Sequence, residues 1–143
     1  MADPASLFDT APYTVTPPEP EQLTAGEKRR RRQQAQITAG LHPLSLVTSP
    51  IRLHPQSAGR TATKHVAADN PVRCGTCRWR QQVGGHARDF PKCLYGAPRY
   101  DNGNLSVARA PRYSAGPATD VAAWWPGCVD WEPVPPDDPG GPP

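Results

Sequence analysis

The chain has 143 residues, of which 36% are hydrophobic and 20 are prolines. This length predicts one domain, with an ordered part of roughly 60–100 residues, a size at which a metal ion or disulfides usually supplement the core. No apolar run approaches the ~20 residues of a membrane span. No signal peptide is recognisable, so the sequence predicts a cytoplasmic protein without a membrane partner.

The net charge of +3 hides a strong segregation along the chain. Residues 28–112 carry all sixteen Lys and Arg against three acidic residues, whereas residues 1–27 and 113–143 each carry five acidic residues and no Lys or Arg. A basic middle part favours a polyanionic partner, with nucleic acid first. The alternative interpretation is that the acidic ends offset the charge of the basic middle part and keep the protein soluble.

The first predicted element is a helix at 24–40, which follows an acidic, proline-rich tail at 1–23. Tail residues 1–23 and 134–143 are predicted to be disordered, because proline removes donors and apolar density is low. Thr24 and Glu27 form a capping-box pattern, and Gly40 is a C-terminal stop. The helix carries five consecutive cations, each a candidate phosphate contact or simply a solvated charge: Lys28, Arg29, Arg30, Arg31 and Arg32.

Residues 41–70 are predicted to be a linker with short apolar segments. Ile51–Leu53 alternates and permits a short strand. Two His-Pro dipeptides begin at His42 and His54. We interpret these histidines as turn residues rather than metal ligands.

Residues 71–133 contain all four cysteines and are predicted to form a metal-binding domain. Cys74 and Cys77 make a C-x(2)-C pair, Cys93 follows after fifteen residues, and Cys128 after thirty-four more. In a reducing cytosol this set favours a four-thiolate Zn²⁺ site over disulfides, with an iron–sulfur cluster as the alternative. His86 is a possible alternative ligand. A closed four-ligand shell is structural, and no Walker loop, GxSxG or HExxH pattern is present, so the sequence predicts no enzyme.

Further elements are predicted within this domain. A strand over Arg78–Val83 pairs with a return segment ending at Cys93. A hairpin at 94–113 turns at Asn102-Gly103, and one or two helical turns run from Asp120 to Trp125. The predicted fold is therefore a small, irregular α+β domain that is strand-rich and metal-stabilised, with a basic helix before it and disordered termini.

Arginines of this domain extend the predicted nucleic-acid-binding face of the basic helix. They are Arg78, Arg80, Arg99, Arg109 and Arg112. The four tryptophans have two interpretations: a core for a small metal domain, which we favour, or a base-stacking platform beside the arginines. Because Trp124 and Trp125 are adjacent, both cannot point inward equally, and one of them is a candidate for exposure.

The segments CGTCRWR, FPKC and ATDVAAWWPGCVDWEP resemble small, uncharacterised four-cysteine proteins of actinobacteria and their phages. The basic segment ending in AGLHPLSL, followed by IRLHP, resembles the N-terminal region of the same group, so the resemblance covers about residues 24–133. It implies a zinc-finger-like protein of a bacterial cytoplasm, host-encoded or phage-encoded, and implies no activity.

Together these patterns predict a non-enzymatic, zinc-stabilised module that binds nucleic acid through phosphate contacts. The alternative is a protein-interaction or phage virion-associated module that docks on an acidic partner. A further alternative is an iron–sulfur redox or sensor protein.

Overall fold

The computed structural model describes residues 14–84 and 88–136. These form a small mixed fold with two α-helices, α1 (Ala25–Thr38) and α2 (Lys64–Ala67), and one antiparallel sheet of β1 (Arg80–Gly84) and β2 (Asp89–Cys93). Short 3-10 turns at Pro43–Leu46, Gly59–Thr61, Cys74–Thr76, Val107–Arg109 and Pro117–Thr119 complete the elements. The α+β class is as predicted, but regular strand in the described ranges is limited to one two-stranded ladder. Of the tails predicted at 1–23 and 134–143, residues 1–13 and 137–143 lie outside the described residues.

Helix α1 has the caps that its sequence predicts. The Thr24 Oγ1 accepts from the amide of Glu27 at 3.2 Å, and the Glu27 carboxylate accepts from the amide of Thr24 at 2.7 Å. Gly40, at φ +87°, terminates the helix in a left-handed conformation that favours glycine. The apolar side of the helix is thin, but Ile37 is fully buried and anchors it.

Residues 41–70 contribute to the core, which the linker interpretation did not anticipate. Their buried side chains share one cluster with Ile37 of α1 and with Cys74 and Trp125: these are Leu44, Ile51, Ala62 and Ala67. The Gln34 side-chain amide also donates to the Ala62 carbonyl at 3.0 Å. The segment therefore packs α1 onto the cysteine-containing part of the chain.

Strands β1 and β2 confirm the predicted strand and its return. Their register pairs Arg80 with Cys93 and Val83 with Phe90. The ladder starts at Arg80 rather than at the predicted Arg78. Its other end positions Cys93 as the last residue of β2.

Two predicted elements of the C-terminal half are wrong. Asp120 to Trp125 is not helical: a 3-10 turn at Pro117–Thr119 precedes it, and Asp120 is extended at φ −67°, ψ 128°. Tertiary hydrogen bonds replace those of a helix here: the Trp125 carbonyl accepts from the amide of Cys74 at 2.9 Å.

The predicted hairpin at 94–113 is present only at its turn. Gly103 has φ +84°, and Arg99 and Leu105 form an isolated bridge. The predicted second strand is replaced by the 3-10 turn Val107–Arg109.

Candidate metal centre

The four cysteines come from three parts of the chain and line one enclosed cavity of about 20 Å³. Cys74 and Cys77 lie at the two ends of a 3-10 turn, in which the Cys77 amide donates to the Cys74 carbonyl at 3.1 Å. Cys93 ends β2, and Cys128 is bridged to Leu53. All four predicted residues therefore line the same cavity, and none of them forms a disulfide.

The turn that carries Cys74 and Cys77 requires glycine at its second position. A Cβ atom on Gly75 would lie 2.9 Å from the Ala123 carbonyl oxygen and 3.1 Å from the Ala123 Cβ atom. The Gly75 amide donates to that same carbonyl at 2.8 Å. Close approach of two backbone segments, rather than an unusual φ angle, therefore explains this glycine.

The size of the cavity limits what it can hold. A volume of about 20 Å³ corresponds to little more than one water-sized sphere, about 10–15 Å³. This space admits a single ion without rearrangement, whereas a cluster of several iron and sulfur atoms would require the cysteine segments to move apart. Across residues 14–84 and 88–136, no group of three or more His, Cys, Asp or Glu side chains is arranged closely enough to hold a metal ion as it stands.

Burial raises the pKa of the thiols of Cys74, Cys77 and Cys128, and the neighbouring cysteines add to the effect. The increase is largest for Cys74, the most deeply buried of them. Backbone hydrogen bonds work in the opposite direction: from Glu132 and Trp79 at Cys77, and from Asp130 at Cys128. Burial in the cavity thus disfavours isolated thiolates, but backbone amides already donate hydrogen bonds to the sulfur atoms of Cys77 and Cys128.

Arg112 also lines the cavity, beside Cys93 and Cys128. Its Nη1 is 3.7 Å from the Cys128 sulfur and 3.9 Å from the Cys93 sulfur, and its Nη2 donates to Asp130. Burial would lower the pKa of Arg112, but the hydrogen bond to Asp130 and the two cysteines outweigh burial and raise it. This guanidinium is a permanent positive charge beside the sulfur atoms.

Three arginines assigned to the nucleic-acid-binding face are engaged by the protein instead. Arg112 is an interior ion-pair partner of Asp130, with 11% side-chain exposure. Arg80 lines the cavity and donates to the Val121 carbonyl at 2.8 Å. Arg78 pairs with Glu132 at 3.3 Å and lies over the Trp79 ring. The side chains of Arg80 and Arg112 are held by internal contacts, whereas the ion pair of Arg78 with Glu132 is partly exposed. The assignment of these arginines to a nucleic-acid-binding face stays a prediction.

His42 is a site residue that sequence reasoning assigned only to a turn. Its Nδ1 accepts from the Leu44 amide at 3.2 Å, as the turn interpretation expects, and its Nε2 lies 3.1 Å from the Cys74 sulfur. Because Nδ1 is an acceptor, Nε2 carries the proton of the neutral ring and donates to sulfur. His42 is thus a donor to a cysteine rather than a ligand. His54 makes the same local bond to Gln56 but does not line the cavity, and His86 lies outside the described residues.

The remaining predicted cations are at the surface. Lys28, Arg30, Arg31 and Arg32 are exposed on α1, and Arg29 is half-buried. Arg31 pairs with Glu21 at 2.8 Å, with both side chains largely exposed. Arg99 and Arg109 are exposed as well, and Arg99 donates to the Gly103 carbonyl at 2.8 Å.

The two adjacent tryptophans differ in burial, as their adjacency predicts. Trp125 is 4% exposed and packs edge-on against His42, with ring centroids 5.6 Å apart. Trp124 is partly exposed while still contacting the core. The buried ring supports the core interpretation, and the other ring presents aromatic surface to solvent.

Comparisons of the chain with protein-family models, curated proteins and solved structures find no match. None of the helices in the described ranges is long and apolar enough to cross a membrane.

Proposed function

We propose that this chain is a non-enzymatic module, stabilised by one Zn²⁺ on Cys74, Cys77, Cys93 and Cys128, that binds nucleic acid through the cations of α1. The observation that carries the binding function is the arrangement of α1. Ile37 fixes the helix to the core, while four of its five consecutive cations stay exposed. A docked helix presents these charges without the entropy cost of folding on a partner.

The zinc part of the proposal is supported by the shared cavity and its surroundings. Four thiolates on Zn²⁺ carry a net charge of −2, and the nearby guanidinium groups of Arg80 and Arg112 offset it. The N–H of His42 and the backbone donors further stabilise charge on sulfur. Binding would draw the four sulfur atoms to about 2.3 Å from a common centre and complete a shell with no open position for a substrate.

Metal content tests this part directly. Untagged protein purified without oxygen should contain one zinc per chain and show no visible absorbance, and X-ray absorption should give a shell of four sulfur atoms. Cys93→Ser should lose metal and cooperative unfolding together, whereas His54→Gln should retain both. Iron with sulfide would overturn zinc in favour of the iron–sulfur alternative.

Salt dependence tests the nucleic-acid part. Affinity for DNA and RNA should fall linearly on a log–log plot against salt, by roughly 0.7 per phosphate contact on single strands and 0.9 on duplexes. Replacing Arg29–Arg32 by glutamine keeps helix propensity and should flatten that slope. The paired control Arg99→Gln/Arg109→Gln removes two exposed arginines outside α1. An unchanged slope in the α1 variant would remove the helix from the proposal.

An acidic protein partner is the second candidate, and the Glu21–Arg31 ion pair favours it because a carboxylate already sits on a cation of α1. Such a partner would be recovered from lysate after nuclease treatment and would compete with nucleic acid for the same arginines. The resemblance to actinobacterial and phage four-cysteine proteins remains a prediction.

A further inference from the structure

A groove of about 510 Å³ lies between α1 and the segment that carries the two adjacent tryptophans. Its cations are Arg30 and Arg31 of α1 and Lys64, the first residue of α2, and all three are exposed. Ala122, Trp124 and Trp125 contribute its apolar surface. No Asp or Glu lines the part of this groove that the structure describes. Cations from two elements therefore flank one aromatic surface.

We infer that this groove binds single-stranded nucleic acid, with a base stacked on Trp124 and the adjoining phosphates on Arg30, Arg31 and Lys64. The inference rests on the proposed function and gives it a strand preference. In duplex DNA the bases are stacked on one another, so the indole would find no free base. In a single strand each base has a free face, and stacking on an aromatic side chain tolerates any sequence.

The mobility of Trp124 is restricted by its neighbours, which suits it to such a platform. The Ala123 carbonyl accepts from the amide of Gly75, and the Trp125 carbonyl accepts from the amide of Cys74 at 2.9 Å. The neighbouring Trp125 is buried, and Trp124 itself contacts the core. Because the backbone is held on both sides of Trp124, this segment loses little freedom on binding, which lowers the cost of association.

Charge and size also fit this occupant. Volumes of about 300–1,000 Å³ are usual for ligand sites, and the groove lies within that range. The pair of Arg31 with Glu21 is largely exposed, so it contributes little stability and a phosphate can replace the carboxylate. An acidic peptide would satisfy the cations but would leave the aromatic surface without a stacking partner.

The experiment uses the full, zinc-loaded chain and three probes: a fluorescein-labelled oligothymidylate, the same strand in duplex with oligoadenylate, and polyglutamate. Wild-type protein should bind the single strand more tightly than the duplex. Trp124→Leu should weaken single-strand binding roughly 5- to 140-fold, the range for loss of one base–aromatic stack, and leave duplex affinity unchanged. Trp124→Phe should restore most of the loss.

Circular dichroism and zinc content establish that each variant is folded. Lys64→Gln, at an exposed position, gives a second test that does not alter the aromatic surface, and it should weaken single-strand binding and flatten its salt slope. Equal single-strand and duplex affinity, unaffected by Trp124→Leu, would overturn the inference while leaving α1 binding intact. Absence of binding to both nucleic acids would overturn the proposed function itself. Stronger binding of polyglutamate would favour the acidic partner instead.

Discussion

The protonation state of His42 follows from two hydrogen bonds. Nδ1 accepts from the Leu44 amide, so the proton of the neutral ring is on Nε2 and faces the Cys74 sulfur. Burial, with a smaller effect from Arg112, lowers the pKa of His42 to about 3. The folded protein therefore keeps this imidazole neutral over the whole range in which a free histidine titrates.

This pKa predicts a dependence of stability on pH. The unfolded chain protonates His42 near its ordinary pKa of about 6.5, so from there down to about pH 3 the unfolded state binds the extra proton. The free energy of unfolding should therefore decrease as the pH is lowered through that window, by up to about 1.4 kcal/mol per pH unit. Above the window, His42 should add nothing to the pH dependence. Urea unfolding of wild type and His42→Gln across the window measures the difference.

Wild type and His42→Gln share the same cysteines, so any effect of acid on the cysteines cancels when the two proteins are compared. The charged and titratable groups facing the ring are Arg112, which does not titrate here, and Cys74. His54→Gln, at a histidine that does not line the cavity, is the matched control for the loss of a histidine side chain. Identical slopes for wild type and His42→Gln would show that the ring titrates normally in the folded state.

Gly75 gives a second prediction at a single residue. Gly75→Ala would place a methyl group 2.9 Å from a backbone oxygen, and backbone cannot move aside as a flexible side chain does. We expect a loss of about 1–3 kcal/mol in free energy of unfolding, typical of overpacking, together with weaker retention of the proposed zinc ion.

Gly116→Ala is the matched control for Gly75→Ala. No atom lies within 4 Å of a Cβ at Gly116, and its backbone is extended at φ −85°. This change should be neutral or stabilise by about 0.4–1 kcal/mol. Equal effects at the two glycines would contradict the close approach of the two segments.

At the scale of elements, the sequence predicts those parts whose signals are local. The Thr24–Glu27 capping box and Gly40 set the ends of α1 within a few residues, and the structure has them where predicted. Asp120–Trp125 also resembles a capped helical turn. It is not helical: Asp120 is extended and residues 123–124 form a turn. The carbonyls of Ala123 and Trp125 pair instead with the amides of Gly75 and Cys74, about fifty positions away in sequence. A single sequence gives no signal for that competition.

Strand β2 contains a buried cation whose role the sequence does not indicate. Lys92 is 2% exposed, and its Nζ lies 2.7 Å from the Asp120 carboxylate and 2.9 Å from the Gly116 carbonyl. It also donates to Thr119 at 3.1 Å. The ammonium group thus holds the loop before the tryptophans against the sheet.

Lys92→Met should cost about 3 kcal/mol in free energy of unfolding, because it leaves a partly buried carboxylate and carbonyl without their donor. Adding Asp120→Asn removes the uncompensated charge and should recover part of the loss. Chemical denaturation of the two single variants and the double variant measures the coupling between the residues. Purely additive losses would mean that the pair contributes no interaction energy.

At the scale of the whole molecule, the core is assembled from segments that look independent in sequence. Leu44 and Ile51 pack with Ile37 of α1 and with Trp125. Residues 41–70 resemble a linker because their apolar residues fall in two short segments, at 41–47 and 51–53, and a small, polar stretch follows. They join the core through pairings such as Leu53 with Cys128, which depend on the complete fold. The sequence therefore predicts the cysteine set, but not that His42 and Arg112 contact it.

The same assembly predicts that the proposed zinc site and the proposed single-strand groove are thermodynamically coupled. Cys74 and Gly75 hydrogen-bond to the backbone on both sides of Trp124, so loss of zinc should release the tryptophan segment. Chelation should then reduce affinity for oligothymidylate. By linkage, bound oligothymidylate should raise zinc affinity by the same factor.

Competition with a chromogenic chelator, with and without oligothymidylate, measures that factor. Trp124→Leu provides the control, since it keeps the cysteines but loses the base contact, and its zinc affinity should respond less to the oligonucleotide. Lys28→Gln removes a cation outside the groove and should leave the factor close to that of wild type. If oligothymidylate has no effect on zinc affinity in the wild-type protein, the cysteine turn and Trp124 are energetically independent despite their shared hydrogen bonds.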